Sequence, residues 1–184
     1  MSPEAINIRV AELSDAANLV VLKQQVWVST YAEEGVRTEF SDYFLAAFTL
    51  RNEKALLTNP QKKTLVAEQN GHLIGCAVIA FDEESPIPAA GNNPEIAVLY
   101  VLERFTGKGV GRILLDRTFQ LINESGFSAV WLTVYHKNER AINFYKRYGF
   151  TDIGNTFFVM QGNQYENRIL MNHFFKTDGH SLNG

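Results

Sequence analysis

The sequence has very little cysteine: Cys76 is the only one among 184 residues. A single thiol cannot form a disulfide within the chain, and it excludes a zinc site built from several cysteines. The histidines and carboxylates show no metal-ligand spacing either, so we expect no metal. With no partner nearby in the sequence, Cys76 is a poor candidate for a covalent intermediate, and we expect it in the core.

The sequence also lacks long apolar runs and an excess of basic residues. No window reaches 18 consecutive apolar residues, so no membrane-spanning helix is predicted. The segment Met1–Val10 has no apolar run behind a basic start, which argues against a signal peptide. A net charge of −3 gives no sign of a nucleic-acid-binding face. We therefore expect a cytoplasmic protein with no nucleic-acid partner and no membrane partner.

The composition is ordinary for one globular domain. Hydrophobic residues make up 46% of the chain and charged residues 20%, which favours a folded core over disorder. The length suits one domain, which we predict over residues 1–176. The polar tail, 177–184, is predicted to be disordered.

Hydrophobic periodicity predicts alternating strands and helices in the order β-α-α-β-β-β-α-β-α-β-β. The pair Asn70-Gly71 supplies the positive φ angles of a two-residue turn, which predicts a hairpin between strands at 63–69 and 72–81. The last two strands are predicted near 156–161 and 168–174. This order indicates an α/β fold in which helices flank a mixed sheet.

A glycine-rich segment, Thr106–Arg112, lies between a predicted buried strand and a predicted helix. Glycine lets the backbone approach a ligand closely, and the helix start that follows presents unpaired N–H groups with a partial positive charge. These features predict a phosphate site, to which Lys108 and Arg112 add charge. A tight turn without a ligand is the alternative. The spacing matches neither a P-loop nor a dinucleotide fingerprint. The glycines are Gly107, Gly109 and Gly111.

A second pattern occupies the next strand, turn and helix. From Leu132 to Phe150 it reads L-x-V-x-x-x-N-x-x-A-x-x-F-Y-x-x-x-G-F. With the glycine segment, it resembles the two conserved motifs of the GNAT-type N-acetyltransferases, over roughly Glu95 to Phe150. The resemblance implies the GNAT acyltransferase fold, a single-domain α/β structure with a mixed, mostly antiparallel twisted sheet flanked by helices. Thr106 departs from the pattern, since the family usually has Arg or Gln there.

The resemblance also implies acetyl-CoA as the acetyl donor. Its pantetheine arm is expected along Leu99–Val101 as if it were an added strand, between two parallel strands, 96–101 and 129–135, that splay apart. An N–H near Leu99 or Val101 would polarise the thioester carbonyl. Asn138 is expected to contact the donor, with a helix cap as the alternative. The implied cofactor-binding residues are Leu99, Tyr100, Val101, Thr106, Gly107, Lys108, Gly109, Val110, Gly111, Arg112, Asn138 and Tyr145.

Two residues are predicted to be catalytic. Tyr145 matches the family's usual general acid, which donates a hydrogen bond to the leaving thiolate; packing of the helix is the alternative. Glu95 precedes the cofactor strand, where this family often places a carboxylate, and we predict it to be the general base. A solvated glutamate at the end of a loop is the alternative there. Tyr135 and His136 are second choices for handling the proton.

The acceptor is the least determined part of the prediction. Trp27, Tyr31, Glu33 and Glu34 fall where the superfamily shapes its acceptor pocket, and aromatic and acidic groups together suit a cationic amine. Core packing and a solvated loop are the alternatives. The segments 26–34 and 157–159 look similar to bacterial polyamine N-acetyltransferases, which implies a spermidine-like or spermine-like acceptor.

Several alternatives remain open at this point. A protein N-terminus, an amino acid or a small toxic amine is also compatible with the sequence. A non-catalytic acyl-CoA-binding sensor is the competing function. A homodimer, to which the last two strands would contribute, is open as well.

Overall fold

The computed structural model describes residues 5–32 and 34–174, so Glu33 and the predicted tail 177–184 lie outside the described residues. The helices and strands follow the predicted order, and the stretch after the first helix forms two further short helices. In chain order they are β1 (Asn7–Val10), α1 (Ala16–Tyr31), α2 (Thr38–Ala47), α3 (Leu50–Thr58), β2 (Lys62–Gln69), β3 (His72–Ala80), β4 (Glu95–Val101), α4 (Val110–Glu124), β5 (Ala129–Tyr135), α5 (Glu139–Arg147), β6 (Thr151–Met160) and β7 (Asn163–His173). Within the described ranges, each helix is too short or too polar to cross a membrane.

The strands form one seven-stranded sheet in the order β1-β2-β3-β4-β5-β7-β6. Neighbouring strands run antiparallel, except for the parallel pair β4 and β5. This arrangement confirms the expected mixed, mostly antiparallel sheet. The predicted hairpin is present too: Asn70 and Gly71 have φ angles of 53° and 76°, as the two-residue turn between β2 and β3 requires.

The helices cover both faces of the sheet. On one face, Leu19 and Val26 of α1 pack on Val66 and Cys76. The opposite face is covered by α4, whose Leu114 belongs to a separate buried cluster with residues of β2 and β3. Because α5 packs on the same face as α4, the opposite face of β4 and β5 is covered by α1 and α2.

A buried ion pair joins α1 to α3. Lys23 Nζ lies 2.7 Å from both carboxylate oxygens of Glu53, and their side chains are only 4% and 7% exposed. The two buried charges are tolerated because each side chain forms a hydrogen-bonded ion pair with the other.

The last two strands are longer than the sequence predicts. They cover 151–160 and 163–173, whereas hydrophobic alternation indicates only 156–161 and 168–174. The missed portions contain polar residues that pair with each other across the strands. Asn155, for example, donates from Nδ2 to Oε1 of Glu166 at 3.3 Å. An alternation signal based on apolar residues cannot detect strands held in this way.

Candidate functional site

The glycine segment forms an open concave stretch of backbone at the start of α4. Gly107 and Gly109 have φ angles of 74° and 86°, a left-handed conformation that is strained for most other residue types. No heavy atom lies within 4 Å of the position that a Cβ would occupy at either glycine. Gly109 is the N-cap of α4, so the unpaired N–H groups of the first helical turn are close to this open space. The arrangement suits an anionic group such as a phosphate.

The side chains around this segment add charge and close packing. Lys108 and Arg112 are exposed. Gly111 is needed for a different reason: a Cβ there would lie 3.4 Å from Cζ of Phe144, so its absence lets α4 and α5 pack closely. Thr106 Oγ1 donates to the carbonyl of Glu103 at 2.6 Å, which engages the hydroxyl within its own turn. Val110 is buried in the core, so only its backbone is available to a ligand.

The parallel strands β4 and β5 separate almost at once. Their ladder has one paired position, Glu95 with Trp131, and β5 is paired along its whole length with β7 instead. The N–H of Leu102 donates to the carbonyl of Ile74 on β3 at 3.0 Å. In an antiparallel ladder hydrogen-bonded pairs alternate, so the N–H groups of Leu99 and Val101 point away from β3, into the opening.

Two predicted residues on α5 have well-defined surroundings. Asn138 caps the helix, because its Oδ1 accepts a hydrogen bond from the N–H of Ala141 at 3.1 Å. Tyr145 is 8% exposed, and its ring packs on Phe144 and Phe150 with centroid separations of 5.4 and 5.3 Å. Burial raises the pKa of the Tyr145 hydroxyl above its ordinary value, and the nearby Tyr31 raises it further. The hydroxyl therefore stays protonated and can act as a hydrogen-bond donor.

Glu95 is the first residue of β4 and is partly buried. Burial raises its pKa to about 7; the nearby Glu83 also raises the pKa, and Lys62 lowers it. Glu95 does not itself line the cavity described next, but Ala97 and Val98 on the same strand do. A carboxyl group with a pKa near neutrality is poised to accept and release protons at physiological pH.

A cavity of about 260 Å³ lies between α1, α2 and the sheet. Trp27 and Tyr31 of α1 form one side of it, and Phe40 and Tyr43 of α2 form the roof. Trp27 is the centre of this aromatic group, with ring centroids 5.0 Å from Tyr31 and 5.6 Å from Tyr43.

The floor of the cavity spans the opening between the two parted strands. Ala97, Val98 and Tyr100 come from β4, and Tyr135 comes from β5. The rings of Tyr31 and Tyr135 lie 5.6 Å apart. The cavity therefore reaches both edges of the opening, into which the amides of β4 point.

The wall of the cavity is completed by the last two strands. Phe158 of β6 contacts Tyr43 edge to face at 5.1 Å, and Tyr165 of β7 lies beside Phe40. Burial, with smaller contributions from the nearby Tyr43 and Tyr135, raises the pKa of Tyr31 to about 12. The Tyr31 hydroxyl is therefore uncharged at neutral pH, and no charged side chain of the described residues lines the cavity.

The predicted acceptor residues separate into two groups. Trp27 and Tyr31 line the cavity, whereas Glu34 is exposed on the turn after α1 and does not line it. Glu33 lies outside the described residues. Tyr100, predicted only as a cofactor residue, directs its side chain into the cavity and pairs through its backbone with Cys76. His136, a second choice as proton carrier, is exposed.

Sequence reasoning missed much of the cavity wall. Tyr43 and Tyr165 line it, yet neither was predicted to have a role. A signal for Tyr43 existed: Phe40, Tyr43 and Phe44 recur at helical spacing in α2, which marks an aromatic stripe. Tyr165 had no such signal, because it stands among polar residues.

Comparison with known proteins identifies the family. The profile of the acetyltransferase (GNAT) family matches residues 27–150. An uncharacterized N-acetyltransferase of Mycobacterium tuberculosis is 30% identical over 115 residues, which cover 62% of this chain and 69% of that protein. A mycothiol acetyltransferase of Propionibacterium freudenreichii is 31% identical over 83% of this chain, but only 46% of its own length is covered.

Solved structures show the same fold. The PaiA N-acetyltransferase of Thermoplasma acidophilum, in complex with coenzyme A, superposes with a TM-score of 0.77 over 92% of this chain and 99% of its own, at 19% identity. The yncA protein of Salmonella typhimurium, solved with its cofactor acetyl-CoA, gives a TM-score of 0.65 at 22% identity and covers 93% of this chain and 95% of its own. The chain thus belongs to the acetyltransferase (GNAT) family and is an acetyl-CoA-dependent acyltransferase.

Proposed function

We propose that the protein transfers the acetyl group of acetyl-CoA directly to a primary amine bound in the aromatic cavity. The observation that carries this proposal is the position of the cavity across the β4–β5 opening. Its floor includes Ala97 and Val98 on one edge and Tyr135 on the other. An amine in the cavity and an acyl group in the opening would therefore meet.

Acetyl-CoA, the acetyl donor, would be held mainly by backbone groups. The N–H groups of Gly107 to Gly111, with Lys108 and Arg112, would bind the pyrophosphate, and the open space at the two left-handed glycines supports this fit. The N–H groups of Leu99 and Val101 would hold the extended arm and polarise the carbonyl. Acetyl-CoA supplies an acetyl group activated as a thioester.

The amine must lose a proton before it attacks. An alkyl amine has a pKa of about 10.4, so only a small fraction is neutral at pH 7. Glu95, with its pKa raised to about 7, is the proposed general base. Since its carboxyl group does not line the cavity, we propose that it acts through water along β4.

The leaving thiolate needs a hydrogen-bond donor. Tyr145 is proposed for this role, because its hydroxyl is held neutral by burial next to Tyr31. A thiol has a pKa of about 8.5, well below that of Tyr145, so hydrogen-bond donation is favoured over early proton transfer.

Direct transfer is favoured over a covalent acetyl-enzyme. Cys76 is fully buried, and burial raises the pKa of its thiol to about 12. Reaction requires the thiolate form and access to the donor, and this residue has neither.

The activity is tested by measuring thiol release from acetyl-CoA with a panel of amines, including spermidine, the acceptor suggested by the resemblance to polyamine N-acetyltransferases. We expect release that depends on the amine. Binding of acetyl-CoA without release from any amine of the panel would contradict the proposal and support the non-catalytic sensor.

A further inference from the structure

The acceptor cavity combines aromatic walls with an absence of lining charge. We propose that its acceptor is an arylalkylamine, a primary amine joined by a short alkyl chain to an uncharged aromatic ring. The inference rests on the acetyl transfer proposed above and adds the class of amine that the enzyme takes. The ring would lie among Trp27, Phe40 and Phe158, with the amine at the β4–β5 opening.

The wall chemistry favours an aromatic ring. Nine of the fourteen residues that line the cavity are aromatic, four are Ala, Val or Met, and one is Asn167. Existing ring pairs are tilted or edge-to-face, as with Trp27 and Phe40 at 5.7 Å and 87°. Such arrangements are favourable for aromatic rings in addition to the burial of their apolar area. A ligand ring would extend this network.

The size of the cavity limits the acceptor to a small molecule. Its volume of about 260 Å³ lies below the roughly 300–1,000 Å³ of pockets for drug-sized ligands. One aromatic ring with a two-carbon or three-carbon amine chain fits that space.

Charge distinguishes this acceptor from a polyamine of similar size. A polyamine would bring a second ammonium group into the cavity, where the described residues provide no lining carboxylate. Removing an unpaired ammonium from water costs several kcal/mol, and a cation–π contact returns only about 0.5–2 kcal/mol. An amine with a single charge avoids this cost once its proton is removed.

The charged side chains on the α2 side are already engaged. Glu39 Oε1 accepts a hydrogen bond from Tyr165 Oη at 2.8 Å, and Glu39 Oε2 lies 3.2 Å from Arg37. Arg37 also donates to the Tyr165 hydroxyl and stacks 4.5 Å from the centroid of Phe40. Glu39 is therefore already paired with Arg37 and Tyr165, and neither Glu39 nor Arg37 lines the cavity.

The position of the β4–β5 opening sets the orientation of the ligand. Tyr100 and Tyr135 line the cavity at the opening, and Tyr31 lies beside Tyr135. Phe40 and Phe158 line it on the side of α2 and β6. Because the acyl group is expected in the opening, the amine is directed toward Tyr100 and Tyr135 and the ring toward Phe40 and Phe158.

The first experiment compares kcat/KM for 2-phenylethylamine, butylamine, spermidine and phenylalanine. We expect 2-phenylethylamine to exceed each of the others by at least about tenfold, from burial of one ring. Phenylalanine tests the effect of an added carboxylate, and spermidine tests the effect of added ammonium groups. A higher kcat/KM for spermidine, or for phenylalanine, would overturn the proposal.

Two neighbouring residues of β6 provide a matched pair of variants. Phe158 lines the cavity, whereas Phe157 is 52% exposed and does not line it. Phe158→Ala should lower kcat/KM for 2-phenylethylamine by about 10- to 100-fold while the affinity for acetyl-CoA is unchanged. Phe157→Ala should leave both near the wild-type values. Equal effects of the two variants would refute the assignment of the ring site.

A binding measurement separates this inference from the transfer reaction. The chain has two tryptophans, so in a Trp131→Phe background Trp27 alone reports on the cavity by fluorescence. With coenzyme A present, 2-phenylethylamine should change this signal saturably, and Phe158→Ala should weaken the effect. Binding of this kind without acetylation would refute the transfer but uphold the ring site. The absence of both binding and acetylation would overturn the arylalkylamine assignment.

Discussion

Glu95 holds a proton at a pH where an exposed glutamate would have lost it. Its pKa rises from an unfolded value of 4.5 to about 7 in the fold, so the folded protein binds a proton that the unfolded chain releases between these values. Stability contributed by this group is therefore complete below pH 4.5 and falls as the pH rises toward 7. The proposed base thus costs folding free energy at the pH where it works.

Glu95→Gln should lower the rate of acetyl transfer by about 10²-fold or more, as expected for loss of a general base. It should also remove the rise in rate that wild-type shows through pH 7. Above pH 7 the variant should be more stable than wild-type to denaturant by about 1–3 kcal/mol, because no buried carboxylate remains. Glu103→Gln, at an exposed glutamate, is the control. An unchanged pH–rate profile in Glu95→Gln would exclude the base role.

Tyr145→Phe should lower kcat by about 10²-fold, because it removes the hydroxyl proposed to stabilise the leaving thiolate. The affinity for acetyl-CoA should stay within about twofold of wild-type, since the ring packing on Phe144 and Phe150 is retained. Tyr148→Phe, on the turn that follows the same helix, removes a hydroxyl outside the proposed site and should leave kcat unchanged. The measurement is thiol release under saturating donor and amine. If both variants behave alike, Tyr145 is not the acid.

At the scale of the element, the start of α4 is where a substitution should affect donor binding directly. Gly109→Val should abolish binding of acetyl-CoA, because the new side chain would occupy the open space before the helix. Gly126, beyond the other end of α4, has a similar φ of 92° and equally open surroundings. Gly126→Val should therefore cost similar strain, about 1–2 kcal/mol, yet leave acetyl-CoA binding intact. Calorimetric titration of both variants checks this, and normal binding by Gly109→Val would refute the donor site.

The ion pair between α1 and α3 gives a prediction about stability alone. Glu53→Leu should destabilise the protein by about 3–5 kcal/mol, because it leaves the buried Lys23 without a partner. Adding Lys23→Met should restore most of this loss, since two apolar side chains fill the same space. Denaturant unfolding of the single and double variants measures the effect. A double variant no more stable than the single would contradict a penalty from unpaired charge.

Some elements are predicted well from sequence because their signals are local. The strand at 129–135 has the predicted bounds, since a short apolar run marks both of its ends, and the β2–β3 turn follows from Asn70-Gly71. The polar halves of β6 and β7 are missed because side-chain pairs such as Asn155 with Glu166 act across strands. The glycine segment is also a local signal, because its conformation depends on neighbouring residues, and its open geometry could therefore be expected.

At the scale of the whole molecule, donor binding should be linked to stability. A ligand that binds only the folded state stabilises it by about 2.7 kcal/mol at a hundredfold excess over its Kd. Acetyl-CoA should therefore raise the thermal midpoint in a concentration-dependent way, and NAD should not, because the glycine spacing does not match a dinucleotide site. Thermal denaturation with each ligand provides the test. Equal shifts with both would argue against a site specific for acyl-CoA.

The acceptor side could not be predicted as a whole because it is assembled from distant parts of the chain. Trp27 and Tyr31 were identified from their position in the first helix. Tyr165, on the wall of the same cavity, donates a hydrogen bond to Glu39, which is 126 residues away in sequence. No periodicity or motif reports such a contact, and only the folded sheet brings the two together.

The proposed donor and acceptor sites occupy different segments of the chain, which predicts where the choice of amine is set. The family profile ends at residue 150, whereas Phe158, Met160, Tyr165 and Asn167, all on the cavity wall, come after it. The proposed donor site therefore lies within the segment that the family profile matches, and part of the proposed acceptor site lies in a hairpin outside it. We expect substitutions in this hairpin to change the choice of amine while leaving the binding of acetyl-CoA unchanged.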